Sequence, residues 1–223
     1  MLINAAVSVG LFCEAALVVL ILQRKAVSAY PLLFFYSIAQ FFANVSETLL
    51  LNGPGRQSRA YHLFYWTDEM VLDTLLFLTV IALTSKALSG KPHRATSRRL
   101  LTMIAAAGLL LPFLLFYGRG LFTTPWFIGA GQVLQFGAAI MNLVLWTALI
   151  GMRPRDPQLL LVSAGVGLAA TGAALFYGIF PYTSGFFKSV ADLMLSLTQV
   201  LGVLICCWAF WQQSPRPSPA SGY

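Results

Sequence analysis

Charged residues are scarce in this chain. Only 9% of its 223 residues are Asp, Glu, Lys or Arg, whereas soluble domains carry about 25%. Hydrophobic residues make up 58%, which excludes a disordered chain, since such chains are polar and poor in aromatic residues. The net charge of +7 does not indicate nucleic-acid binding, because the basic residues lie between long apolar runs. The composition therefore predicts an integral membrane protein without a nucleic-acid partner.

Cysteine and histidine are also rare, with three and two residues. All three cysteines lie within apolar runs and form no CxxC motif, so neither a disulfide framework nor a redox site is expected. Two histidines are too few for a His-rich metal centre, and the motifs GxSxG and HExxH are absent. We therefore expect no enzymatic activity, no cofactor and no metal site.

Seven apolar runs are long enough to cross a membrane. About 20 helical residues span the hydrocarbon layer, and a helix satisfies its own backbone polar groups there. The predicted spans are residues 3–23, 29–51, 61–84, 100–117, 126–150, 159–180 and 187–211. No remaining segment is long enough for a soluble domain. We predict an all-α fold with one seven-helix transmembrane domain at 1–211 and a Pro- and Ser-rich, disordered tail at 212–223.

Lys and Arg residues are divided unevenly between the two sides of the predicted bundle. About ten follow odd-numbered helices and about four lie on the other side. This bias predicts a cell-membrane protein with its N-terminus outside and its C-terminus in the cytoplasm. Most of the signal comes from loop 85–99, through Lys86, Lys91, Arg94, Arg98 and Arg99. We interpret this loop as a topology determinant facing anionic lipid headgroups, with docking of an acidic cytoplasmic partner as the alternative.

Acidic residues are placed where they are most costly. Six of the seven lie inside predicted spans, namely Glu14, Glu47, Asp68, Glu69, Asp73 and Asp192. A charge at the centre of a span costs at least ~2.5–3.5 kcal/mol. Glu69 and Asp73 are one helical turn apart, and two neighbouring carboxylates do not readily both ionise, which favours an exchangeable proton. We predict a proton or cation site formed by Glu69, Asp73 and Asp192 and tuned by Glu14 and Glu47. For a lone carboxyl such as Glu14, a hydrogen bond between helices is the alternative.

Uncharged polar side chains lie on the same helix faces as the carboxylates. Offsets of four, seven and eleven residues keep side chains on one face of a helix. The residues on these faces that we expect to orient a solute are Gln40, Asn44, Trp66, Gln132, Gln135 and Asn142. By depth, most of the polar groups fall in the outer half of the predicted bundle. We therefore expect one internal cavity that opens, if anywhere, to the outside. For Trp66, a membrane anchor is the alternative.

The order of the helices allows an internal repeat. Helices one to three and five to seven run in the same directions, as in two parallel three-helix repeats joined by helix four. Asp68–Val71 in helix three matches Asp192–Leu195 in helix seven weakly. The arrangement resembles that of SWEET and PQ-loop transporters. This chain has one PQ dipeptide, at residues 157–158, and none before helix two, so we do not assign it to that family.

Together these features predict a proton- or cation-binding transporter, or a proton-coupled carrier of a small polar solute. The alternative from another class is a sensory or accessory membrane subunit, which binds a ligand in the same cavity and signals through a cytoplasmic partner at the basic loop. A third reading is an intramembrane enzyme in which Asp68 or Asp73 pairs with Asp192. Association with a second copy of the chain is left open.

Overall fold

The computed structural model describes residues 2–52, 58–89, 94–151, 156–179 and 186–212. Within these ranges the chain forms seven α-helices and a short 3-10 turn, and no strand. The helices are α1 Leu2–Gln23, α2 Pro31–Asn52, α3 Arg59–Leu88, α4 Arg94–Leu115, α5 Thr124–Ile150, α6 Pro157–Ile179 and α7 Phe186–Trp211, with the 3-10 turn at Tyr117–Arg119. The all-α prediction is confirmed for this part of the chain. Apart from Gln212, the predicted tail at 212–223 lies outside it.

Five helices are long and apolar enough to cross a membrane. These segments are Tyr61–Leu88, Ala95–Leu115, Thr124–Ile150, Pro157–Phe176 and Leu193–Trp211. In α1 the side chains are described from Ser8 onwards, and the apolar segment among them is Ser8–Gln23. The 22 residues of α2 match a span in length, but Gln40, Asn44 and Glu47 reduce its hydropathy and it falls outside this set. The chain is thus a helical membrane protein, and crossing by α1 and α2 stays a prediction.

Six of the helices form a closed ring. Around the ring the order is α1, α2, α3, α5, α6, α7 and then α1 again. α3 also contacts α6 within the ring, whereas α4 lies outside it against α3 and α5. Only 11% of the apolar segment of α4 is buried. The six ring helices therefore share an interior from which α4 is excluded.

Neighbouring ring helices run antiparallel except at two places. α3 and α5 run parallel, because Trp66 stacks on Phe127 and Phe77 packs at Gly137 further along both helices. α1 and α7 also run parallel, with Gly10 near Val200 and, at the other end, Arg24 Nη2 donating to the carbonyl of Trp211 at 3.2 Å. As a result, the N-terminal ends of α1, α3, α5 and α7 all lie at one end of the bundle.

Glycines bring α6 and α7 into direct backbone contact. A Cβ atom on Gly165 would lie 2.5 Å from the carbonyl oxygen of Gly202, and one on Gly202 would lie 2.6 Å from that of Gly165. One side of this interface therefore has no room for even a methyl group. Small residues permit such close approach between membrane helices, where packing rather than water exclusion holds helices together.

Candidate functional site

An internal cavity of about 390 Å³ lies between the six ring helices. Polar groups dominate one part of its wall. Four carboxylic acids line it, Glu14, Glu47, Glu69 and Asp73, together with four side-chain amides, Gln40, Asn44, Gln135 and Gln199. The other lining residues include Gly10, Tyr36, Tyr65, Leu72, Leu76, Phe176 and Ser196. We call this space the acidic cavity. It draws its polar residues from α1, α2, α3, α5 and α7.

The acidic cavity becomes more buried towards the middle of the bundle. Glu47 and Glu69 are half-buried, whereas Glu14 and Asp73 are only 4% and 3% exposed. Glu47 lies near the C-terminal end of α2, and Glu69 lies one turn closer than Asp73 to the N-terminal end of α3. The more accessible carboxyls thus lie towards the end of the bundle where the odd-numbered helices begin.

Each of the two buried carboxyls is held by an amide from a neighbouring helix. Asn44 Nδ2 in α2 donates to Glu14 Oε1 in α1 at 2.8 Å. Gln135 Nε2 in α5 donates to Asp73 Oδ1 in α3. These bonds fix both carboxyls by one oxygen and orient the two amides. Nearer the accessible end, the phenol of Tyr61 in α3 donates to Glu47 Oε1 in α2 at 2.8 Å.

Four buried oxygens of the acidic cavity have no hydrogen-bond donor within the described part of the chain. They are Glu14 Oε2, Asp73 Oδ2, Gln135 Oε1 and Gln199 Oε1. A buried polar atom left without its partner costs about 1–3 kcal/mol. Such a cluster of acceptors is complementary to a proton, a cation, or a solute with N–H or O–H groups. The cavity therefore presents unmatched acceptor oxygens from four of its helices, α1, α3, α5 and α7.

Aromatic rings form another part of the cavity wall. Tyr36, Tyr65 and Phe176 all line it. Tyr65 is held by stacking on Tyr61, with ring centroids 6.0 Å apart, and by an edge contact with Trp66 at 5.2 Å. Aromatic faces attract cations through their quadrupole. The walls and the acceptor oxygens thus favour the same class of ligand.

A small void of about 20 Å³ lies next to the acidic cavity, between α1, α2, α6 and α7. Glu14, Tyr36, Gln40 and Gln199 line both spaces. Leu33, which is 2% exposed, is among the residues that line the void. Leu33 also lines a second pocket, of about 540 Å³, at the opposite end of the bundle. One buried leucine therefore borders spaces reached from the two ends.

The structure brings together seven of the side chains that the sequence singled out. They are Glu14, Glu47, Glu69, Asp73, Gln40, Asn44 and Gln135. The side chain of Asp192 in α7 lies outside the described part, so its predicted role stays a prediction. Asp68, which the helix geometry places off the stripe of Glu69 and Asp73, is absent from the lining.

Three predicted solute-orienting residues do not line the acidic cavity. Trp66 stacks on Phe127 of α5, with ring centroids 6.0 Å apart and planes at 14°. Asn142 is buried against Gly167 of α6, and Gln132 is also absent from the lining. The spacing of residues fixes a helix face only to within several tens of degrees, so a stripe can turn away towards a neighbouring helix after two turns.

The sequence-based site omitted Tyr65, Ser196 and Gln199, which line the cavity. Tyr65 lies four residues before Glu69, about one helical turn, and Ser196 and Gln199 follow Asp192 at offsets of four and seven. The same helical spacing that identified the carboxyls contains the signal for these residues.

The basic loop residues fall into two groups. Lys86 and Arg98 line the second pocket, whereas Arg99 is exposed and does not. Lys91 lies outside the described residues, as does the side chain of Arg94 at the start of α4.

Metal-ligating side chains are not clustered in the described ranges. No group of three or more His, Cys, Asp or Glu residues there is arranged to hold a metal ion. Comparison of the chain with protein-family models, with curated proteins and with solved structures gives no match.

Proposed function

We propose that this protein is a seven-helix membrane transporter that binds a proton or a small monovalent cation in the acidic cavity, alone or together with a small polar solute. The observation that carries the proposal is the cluster of four buried acceptor oxygens without donors, on Glu14, Asp73, Gln135 and Gln199. Leaving these acceptors unmatched is costly in a protein interior. A bound proton or cation removes that cost.

The ligand class follows from the number and type of side chains. A divalent metal normally takes several carboxylate ligands at once, and the described residues contain no such group. A proton requires only one carboxyl, and an organic cation gains from the aromatic rings of Tyr36, Tyr65 and Phe176. In this proposal Asp73 and Glu69 exchange protons or contact the cation, while Glu14 and Glu47 adjust the local charge.

The predicted topology determines which side of the membrane the acidic cavity faces. The more accessible carboxyls lie at the end of the bundle where α1 begins, and Lys86 and Arg98 lie at the opposite end. With the N-terminus outside and the basic residues in the cytoplasm, the acidic cavity faces outwards. Crossing by all seven helices is part of this proposal.

The ring also favours the repeat arrangement. If α1, α2 and α3 correspond to α5, α6 and α7, then the contact of α3 with α5 corresponds to that of α7 with α1. Both contacts are present and both are parallel. In this proposal, two three-helix units lie around an axis along the bundle, with a central site between them. α4 is then the linker.

The test is pH-dependent flux into liposomes that contain the purified protein, with Asp73→Asn as the active-site variant. Asp68→Asn is the matched control, because it makes the same chemical change on the same helix outside the acidic cavity. We expect Asp73→Asn to abolish flux and Asp68→Asn to retain it. Equal flux in the two variants, or no flux in the wild type, refutes transport through this cavity. Binding without flux in the wild type points instead to the sensory or accessory subunit.

A further inference from the structure

The second pocket lies at the end of the bundle opposite the acidic cavity. It occupies about 540 Å³ between the connection from α1 to α2, the C-terminal part of α3 and the N-terminal part of α4. Its polar side chains include two cations and four hydroxyls, Lys86, Arg98, Ser28, Ser85, Ser89 and Ser97. Its apolar wall includes Leu33, Leu83 and Leu101. We call it the basic pocket.

Lys86 is fixed in position by two contacts. Its Nζ atom lies 3.4 Å from the centroid of the Tyr30 ring and donates to the carbonyl of Ala29 at 3.2 Å. Tyr30 is itself buried and makes an edge contact with Phe210 at 5.5 Å. An ammonium has three N–H donors, so Lys86 keeps donors beyond the one used by Ala29. The charge is thus held at the pocket wall before any ligand binds.

Among the described residues, no Asp or Glu lines the basic pocket. Within the described ranges neither Lys86 nor Arg98 forms an ion pair, and the hydroxyls of Ser28, Ser85 and Ser97 make no hydrogen bond. The acidic residue that acts electrostatically on Lys86 is Asp156. Its Oδ1 atom already accepts from the backbone N–H groups of residues 158 and 159, at the start of α6.

We propose that the basic pocket binds a phosphate group, carried by an anionic lipid headgroup or by a free phosphate compound. Its two cations and its hydroxyls supply donors to an ion that offers only acceptors, and hydrogen bonds between ionised groups are the strong ones. The volume lies within the range of pockets for small molecules, so it accommodates a phosphate together with the group that carries it. The leucine wall suits the glycerol and upper acyl region of a lipid.

The experiment measures binding and thermal unfolding of the purified protein in nanodiscs. One arm compares discs of phosphatidylglycerol with discs of phosphatidylcholine, and a second arm adds glycerol 1-phosphate to the phosphatidylcholine discs. The variants are Lys86→Gln and Arg98→Gln. Arg99→Gln is the matched control, because it removes the same charge from the adjacent position without lining the pocket. Arg98 is exposed, so its substitution leaves the fold intact even if Lys86→Gln does not.

We expect phosphatidylglycerol, or glycerol 1-phosphate added to phosphatidylcholine discs, to raise the unfolding temperature of the wild type and of Arg99→Gln above that in phosphatidylcholine discs alone. Loss of one charge-assisted hydrogen bond weakens binding about tenfold or more, so Arg98→Gln and Lys86→Gln lose most of this rise. A rise only in phosphatidylglycerol identifies a lipid headgroup, and a rise with glycerol 1-phosphate identifies a free phosphate compound. An equal loss in Arg99→Gln shows diffuse surface charge and overturns the proposal. So does the absence of any ligand effect in both arms.

Discussion

We predict that Leu33 acts as a seal between the acidic cavity and the basic pocket, and shortening its side chain tests that prediction. Leu33 is 2% exposed and borders both the void next to the acidic cavity and the basic pocket. Leu33→Ala removes three carbon atoms from this seal. The truncation widens a space whose exposed wall is almost wholly apolar, although Glu14 and Gln199 are among its lining residues. Water enters it only where such polar groups can bind it. We expect the two spaces to become connected.

The size of the effect is judged against Leu83→Ala. Leu83 is 3% exposed and lines the basic pocket but not the void. Truncation of a buried leucine to alanine costs about 2–5 kcal/mol of unfolding free energy. Because burial and chemistry match, the two variants should lose similar stability. Only Leu33→Ala should open a passage between the acidic cavity and the basic pocket. A difference in proton permeability between the two variants therefore cannot come from a difference in stability.

The assay is passive proton leak across liposomes under a fixed pH gradient, with thermal unfolding measured in parallel. We expect a faster leak for Leu33→Ala than for the wild type and Leu83→Ala, at similar unfolding temperatures of the two variants. An equal leak in both variants would show that loosened packing is the cause, and would refute the role of Leu33 as a seal.

Two further predictions concern the framework. Gly165→Ala places a methyl group 2.5 Å from the carbonyl oxygen of Gly202 and should lower the unfolding free energy by about 1–3 kcal/mol through overpacking. Gly10→Ala is the control, because the nearest atom to its added methyl group is 3.7 Å away. In thermal unfolding it should be neutral or slightly stabilising. Asp156→Ala removes the acceptor at the start of α6 and should cost about 1 kcal/mol. Asp156→Asn keeps an acceptor oxygen and should retain most of that stability, and an equal loss in both would argue against capping.

The polar residues of the cavity were predictable because polar side chains in membrane-spanning helices must face away from lipid. A chain with seven acidic residues and long apolar runs buries its carboxyls away from lipid at high cost. Helical spacing then aligns Gln40 and Asn44 with Glu47, and Asp73 with Glu69. The structure places these residues in the lining of one cavity.

The neighbours of each helix were not predictable in the same way. The spacing of polar residues along a helix identifies its polar face, but it does not identify the neighbouring helix against which that face packs. Asn142 lies on the same helix as Gln135, yet it packs against Gly167 of α6 while Gln135 reaches Asp73 of α3. Trp66 likewise stacks on Phe127 instead of lining the cavity. Contacts of this kind depend on the order of helices around the ring.

The position of α4 has a consequence for how the two halves are joined. α3 and α5 are adjacent and parallel. The segment that connects them must therefore run the full length of the bundle in the opposite direction. α4 is this antiparallel connection, and it lies on the outer surface of the bundle. Deleting it would leave the second triplet inverted relative to the first and would separate Gln135 from Asp73. Although no described residue of α4 lines the acidic cavity, α4 thus determines whether that cavity can assemble.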